Sequence, residues 1–164
     1  MRRIHLFIIA ILFTVSMVSA QNLLNPDWKF KTGDDPAWSS EQFDDSNWQM
    51  IKAGALWEVQ GYDIYDGFAW YRTTVIIPSS LKAKAQKYGG LLLNLCRIDD
   101  TDETFFNGQS IGQTGKFPPD YEGKYNILRE YEIPLASIRW DQPNTIAVRV
   151  YDFSGGGGIY GQTD

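Results

Sequence analysis

The chain has 164 residues, with 15 Lys and Arg against 20 Asp and Glu, one His, one Cys and a net charge of −5. An acidic chain without basic blocks is a poor partner for nucleic acid or an anionic membrane. A lone cysteine permits no internal disulfide.

The first twenty residues read as a cleaved signal peptide. Arg2 and Arg3 form the positive start, Leu6 to Val18 the apolar stretch, and Val18-Ser19-Ala20 the small-residue cleavage site before Gln21. A spanning helix needs ~20 apolar residues, more than this run holds. No Cys follows it to take a lipid. The expected product is therefore secreted or periplasmic, a single domain over residues 21–164. His5 leaves with the leader. The remaining 144 residues cannot build a Ser-His-Asp or Cys-His site, nor a His-ligated zinc or iron site. Cys96, inside an apolar run, reads as a small buried residue rather than a nucleophile.

In chain order, Trp28 to Thr32 is a short strand, and Gly33-Asp34-Asp35-Pro36 a turn. Trp38 to Trp48 reads as a structured loop with one helical turn, and Gln49 to Lys52 as a short strand. Gly54 to Gly67 is a second loop. Phe68 to Ile77 is a strong strand, aromatic and β-branched, stopped by Pro78. Lys82, Lys84 and Lys87 mark a short solvated connection. Gly90 to Ile98 is apolar on both faces and so reads as a central strand. Glu103 to Phe106 and Gln109 to Gly112 form a hairpin around Asn107-Gly108, whose type I′ turn needs positive φ twice. Lys116 to Tyr125 is a long loop, Tyr131 to Ile133 a short strand, and Leu135 to Ile138 a helical turn. Thr145 to Asp152 alternates, with Ile146, Val148 and Val150 on one face. The Gly-rich segment 154–164 reads as a flexible tail or the start of a linker. Strands this short, with no long amphipathic helix, predict an all-β fold, an antiparallel β-sandwich or barrel.

Four carboxylates, Asp99, Asp100, Asp102 and Glu103, precede the hairpin. They read as a ligand or metal site, or as a solvated loop. Aromatic residues make up 15% of the chain and include six Trp. With so many acids, that composition suits sugar binding, since flat rings stack on pyranose faces and carboxylates accept hydroxyl protons.

The order of these motifs resembles the N-terminal sugar-binding domain of glycoside hydrolase family 2 enzymes. The resemblance rests on Trp28-Lys29-Phe30, Gly33-Asp34-Asp35, Phe43-Asp44-Asp45-Ser46-Asn47-Trp48, Ala69-Trp70-Tyr71-Arg72, Ile98-Asp99-Asp100, Asn107-Gly108 and Asn144 to Val150. Phe117-Pro118-Pro119 and Val150-Tyr151-Asp152-Phe153 are similar to the version beside sialate O-acetylesterases. The resemblance implies a galactose-binding-domain-like jelly-roll that binds or positions carbohydrate beside a catalytic domain, sometimes with a structural calcium. The catalytic parts have no counterpart here: a TIM barrel takes ~250 residues, and no Gly-x-Ser-x-Gly elbow occurs.

The expected site residues follow from both readings. In the family pattern Asp99 and Glu103 fall where the fold places acids, and they read as structural, bracing loop amides, Arg97 or Arg72. Asp100 and Asp102 read as facing ligand. Trp57 and Tyr62 form a sugar platform with Glu58 and Gln60, or else Trp57 plugs one end of the sandwich. The Lys116 to Tyr125 loop, Tyr151 and Asp152 complete the rim. Trp28, Trp48 and Trp70 read as core. Calcium ligands, if any, are sought among Asp34, Asp35 and Asp152; a catalytic carboxylate pair is the weaker reading. The expected function is an exported, non-catalytic carbohydrate-binding domain, with no catalytic residue and no cofactor beyond that calcium. The alternatives are a leading fragment of a family 2 β-galactosidase or β-glucuronidase or of a sialate O-acetylesterase, and a module that only packs against a hydrolase.

Overall fold

The computed structural model describes residues 23–161; the expected leader lies outside them. The strands are β1 (Asp27–Thr32), β2 (Gln49–Lys52), β3 (Gly67–Ile76), β4 (Gly90–Asp99), β5 (Thr101–Phe106), β6 (Gln109–Thr114), β7 (Leu128–Pro134), β8 (Pro143–Asp152) and β9 (Gly158–Tyr160), with one helix, α1 (Lys82–Tyr88). They form a six-stranded sheet, β2-β1-β3-β8-β5-β6, and a three-stranded sheet, β7-β4-β9. All their ladders are antiparallel. The antiparallel sandwich expected from the strand pattern is what the chain forms.

The core follows from alternation. Ile146, Val148 and Val150 of β8 and Tyr71 and Val75 of β3 point inward. They meet Leu93, Leu95 and Ile98 of β4, Tyr131 and Ile133 of β7 and Ile159 of β9. β3 is also buried on its outer face, because the segment between β1 and β2 folds over it. There Trp38, Trp48 and Trp70 make a second cluster with Phe43 and Phe105. Arg72 lies beneath it, pairing with Asp45 at 2.8 Å and donating to the carbonyls of Trp38 and Ser40. At the hairpin tip Asn107 (φ 50°) and Gly108 (φ 80°) supply the two positive φ values expected.

Four expectations change. The lysine-rich connection is a short helix, with Ala85 buried against the body and the lysines in water. β4 is central in its sheet, yet Leu92 is 63% exposed, since among the described residues no layer covers that sheet's outer face there. Cys96 is only half-buried, at a bulge where the β4–β7 register shifts. The glycine run is not a tail as far as Gly161. It makes a turn and returns as β9, paired with β4 through Arg97, Ile98 and Asp99. These glycines serve close approach: a Cβ on Gly157 would lie 2.0 Å from the Trp57 ring, and one on Gly158 2.3 Å from the Tyr71 hydroxyl. Residues 162–164 lie outside the described part.

Candidate functional site

Three acids meet at one end of the sandwich. Asp99 is the last residue of β4 and Asp152 the last of β8. Asp100 forms the corner where the chain leaves the small sheet for the large one. One carboxylate oxygen of each lies within 4.8 Å of the others. Asp100 is held by backbone on both sides: its N–H donates to the Tyr151 carbonyl at 3.0 Å, and its Oδ2 accepts from Phe153 N–H at 3.1 Å. Asp152 Oδ1 accepts from Ser154 N–H at 3.0 Å. Its Oδ2 is buried and has no hydrogen-bond partner.

Burial and crowding raise the affinity of Asp99 and Asp152 for protons. Burial, then the hydrogen bond to and charge of Asp100, then the charge of Asp152 push Asp99 up to about 8. Burial, then the charges of Asp100 and Asp66, push Asp152 up to about 7. Protons retained by the folded state but released by the unfolded chain make stability fall as pH rises, here from about 4 to about 8. In a chelating buffer, urea unfolding at pH 8.5 is expected to show about 2 kcal/mol less stability than at pH 5.5. Asp152→Asn is expected to reduce that difference; an unchanged profile in the variant refutes the assignment.

Asp99 and Asp100 floor an open cavity of ≈ 520 Å³ whose walls include Tyr121, Tyr125, Phe153 and Ser154, while Asp152 is buried. Tyr121 stacks on Phe153 at 5.0 Å and meets Tyr151 edge-on at 5.7 Å. Tyr151 contacts Phe68, which stacks on Phe117. The Arg149 guanidinium sits 4.2 Å from the Phe117 ring centre and 4.6 Å from that of Phe68. Phe153 is 59% exposed, so part of this aromatic wall faces water. The 116–125 loop is pinned across its neck by paired Lys116–Glu122 backbone bonds of 3.1 and 3.0 Å. Gly123 leaves the space that Asp100 and Tyr121 occupy: a Cβ there would stand 3.0 Å from Asp100 Oδ1 and 2.4 Å from the Tyr121 hydroxyl.

Beneath the corner lies a fully buried ion pair, Arg129–Asp102, at 2.7 Å. Every N–H of Arg129 is used. Nε goes to Asp102, Nη1 to the carbonyls of Lys124 and Ile127, and Nη2 to those of Ile98 and Asp100. Asp102 Oδ2 also accepts from Tyr131 and Thr104 hydroxyls at 2.8 and 3.1 Å. The guanidinium thus ties β4, the corner, the 116–127 loop and β5 to β7.

Several expected site residues are placed differently. Asp102 is the brace, while Asp99 joins the open cluster, so the two exchange roles. The family pattern that assigned them does not distinguish the two sides of the corner, where the chain passes from β4 in one sheet to β5 in the other. Glu103 remains structural, accepting from Ser110 at 2.8 Å. Trp57 is no sugar platform: it is fully buried, and its indole N–H donates to the Tyr65 carbonyl at 3.1 Å. Gln60 closes its own loop on Lys52, Ala55 and Leu56. Glu58 accepts from Gly157 N–H. Tyr62 leans on Phe30 and donates to Gln49. Asp34 and Asp35 do not accompany Asp152. Asp34 pairs with Arg149 and accepts from Trp70 on the outer face, and Asp35 caps the turn at Ala37. Asp152 is three residues beyond Arg149 on the inward face. Tyr151 does stand on the rim. Phe153 went unrecognised because a single Phe after a strand carries no periodic signal.

Known proteins share this arrangement of strands. No family model matches the chain. A β-galactosidase of Bacteroides ovatus is 26% identical over 140 residues, 77% of this chain and 15% of that protein. The β-glucuronidase 2 of Bacteroides uniformis, solved covalently bound to cyclophellitol-6-carboxylate aziridine, has 26% identity and a TM-score of 0.66 over 84% of this chain and 16% of that one. The chain is homologous to part of the family 2 glycoside hydrolases. A family 2 member from Bacteroides cellulosilyticus, 23% identical, shares the fold with a TM-score of 0.60 over 82% of this chain and 19% of that one. The family 2 relationship expected from the motif order is therefore borne out, and it extends over only a small part of each relative. Among the described residues no helix is long and apolar enough to cross a membrane.

Proposed function

We propose that this family 2 homologue is an exported, non-catalytic carbohydrate-binding domain that works beside a glycan hydrolase. The observation that carries the reading is the cavity: carboxylates on its floor and an exposed aromatic wall, the pair of features a pyranose needs for its hydroxyls and its apolar face. With three acids on or under that floor, a neutral hexoside is favoured over a uronic acid when no cation is bound. The leader motif supports export, and His5, which lies within that leader, supports the absence of histidine-based catalysis once the leader is cleaved. A second reading, that these residues are one part of a longer family 2 glycosidase, is favoured by the 15% of the Bacteroides ovatus enzyme that the chain spans.

Calorimetric titration with methyl galactosides and glucosides is expected to show binding with Kd in the ~0.1–1 mM range, about −5 kcal/mol. Absence of binding to galactosides, glucuronides and sialylated glycans alike overturns the proposal. Phe153→Ala, at an exposed position, is expected to weaken binding roughly tenfold with unchanged unfolding, since one aromatic contact contributes about 0.5–1.5 kcal/mol. Release of nitrophenol from aryl galactosides or glucuronides by the purified chain contradicts the non-catalytic part of the reading.

A further inference from the structure

We propose that the acidic corner takes the ammonium group of an amino sugar, a hexosaminide whose amine is free rather than acetylated. The proposal rests on the carbohydrate reading and names the sugar class that the same cavity prefers.

Three observations converge. The first is an unbalanced charge. Asp99 and Asp100 line the open cavity, and Asp152 lies buried beside them. Among the described residues no Lys or Arg forms an ion pair with any of the three. Arg129 is the nearby cation, and its Nε, Nη1 and Nη2 are spent on Asp102 and on backbone carbonyls. The second is independent of the clustering. Asp152 Oδ1 accepts from Ser154 N–H, but its Oδ2 is buried without a hydrogen-bond partner. A buried carboxylate oxygen without a donor is costly unless a positive group comes close to it.

The third observation is the wall beside the acids. Tyr121 and Phe153 stack at 5.0 Å, and Phe153 is 59% exposed. Aromatic faces carry a negative quadrupole, so they attract a cation as well as the apolar face of a sugar ring. The spacing of the acids suits the same group. One oxygen of each carboxylate lies within 4.8 Å of the others. Charge-assisted N–H···O bonds run ~2.7–2.9 Å, so two tetrahedral donors on one nitrogen reach acceptors about 4.4–4.7 Å apart. One ammonium therefore sits between Asp99 and Asp100 on the cavity floor, and Asp152 adds its charge from the buried side. An amino sugar brings both the charge and the ring. A bare alkylammonium or a lysine side chain brings the charge without a ring to stack, and a neutral or acidic sugar leaves the carboxylates unbalanced.

The test is calorimetric titration of the purified full chain, in EDTA at about pH 7, where a sugar amine is largely protonated. The probes are methyl glucosaminide, methyl N-acetylglucosaminide, methyl glucoside and ethanolamine. Methyl glucosaminide is expected to bind at least tenfold more tightly than each of the others. That advantage is expected to shrink when KCl is raised from about 20 to about 300 mM, because salt screens an ion pair and not a stacked ring. Asp99→Asn, which keeps size and removes charge, is expected to lose most of the advantage. Glu132→Gln, which removes an exposed charge on β7, is expected to keep it. If Asp99→Asn does not fold, the ligand series and its salt dependence in the unmutated chain decide the matter. The proposal is overturned by equal or tighter binding of either neutral glycoside or of ethanolamine, by an advantage that salt leaves unchanged, or by one that survives Asp99→Asn intact. Neutral glycosides that bind as well as the amino sugar leave the carbohydrate reading standing, whereas no heat with any glycoside overturns both.

Discussion

Arg129→Ala is expected to destabilise the protein by about 3–5 kcal/mol, enough to leave a marginal domain unfolded. The loss has two parts. Asp102 becomes a fully buried carboxylate without its cation, keeping only the Tyr131 and Thr104 hydroxyls. Four backbone carbonyls, those of Ile98, Asp100, Lys124 and Ile127, lose their donor. Arg129→Lys is expected to recover little, since one ammonium cannot reproduce a planar fork that spans four segments of chain. Replacing both partners, Arg129→Met with Asp102→Leu, is expected to cost less than the arginine change alone, because no buried charge is stranded. Urea unfolding with coincident fluorescence and circular-dichroism transitions measures all three. A loss below about 1 kcal/mol for Arg129→Ala contradicts the assignment of this residue as the keystone of the acidic end.

Trp57→Ala is the second large effect, again about 3–5 kcal/mol. Its ring is fully buried between Phe30 and Tyr65. Its backbone N–H donates to the Gly157 carbonyl at 3.0 Å, and its ring occupies the space where Gly157 lacks a side chain. Removing it opens a cavity between the first long loop and the turn into β9. The melting temperature is expected to fall by roughly 10 °C, given about 2–4 °C per kcal/mol for a domain of this size. Trp57→Phe is expected to recover most of the stability, losing the bond to the Tyr65 carbonyl. At temperatures where the variant is folded, sugar affinity is expected to be unchanged, because the ring does not reach the cavity. A fall in affinity without a fall in stability contradicts the core assignment.

Much of the framework was legible in the chain itself. Ile146, Val148 and Val150 announce a half-buried strand through period-two alternation, and the strand is there. Asn107-Gly108 announces its hairpin through the one turn chemistry that tolerates two positive φ values. β7 was only partly legible, being read from Tyr131 although it begins at Leu128. Its inward positions are Arg129, Tyr131 and Ile133, and a charged residue in the first of them hides the alternation. The glycine run hides its role for a related reason. Flexibility and close packing ask for the same residue, and only the neighbours, Trp57 and Tyr71, distinguish them.

By itself the sequence determined the sandwich, the inward stripe of β8, the tryptophan core and the link to family 2. Those depend on local periodicity and on the order of motifs along the chain. The tertiary structure alone decided which acids work together. Asp99, Asp100 and Asp152 span more than fifty residues and two sheets. Asp102, two positions from the corner, turns inward to Arg129 instead. Alternation holds within one ladder and is lost where the chain crosses from one sheet to another, so the grouping of carboxylates at that crossing exists only once the sandwich is closed.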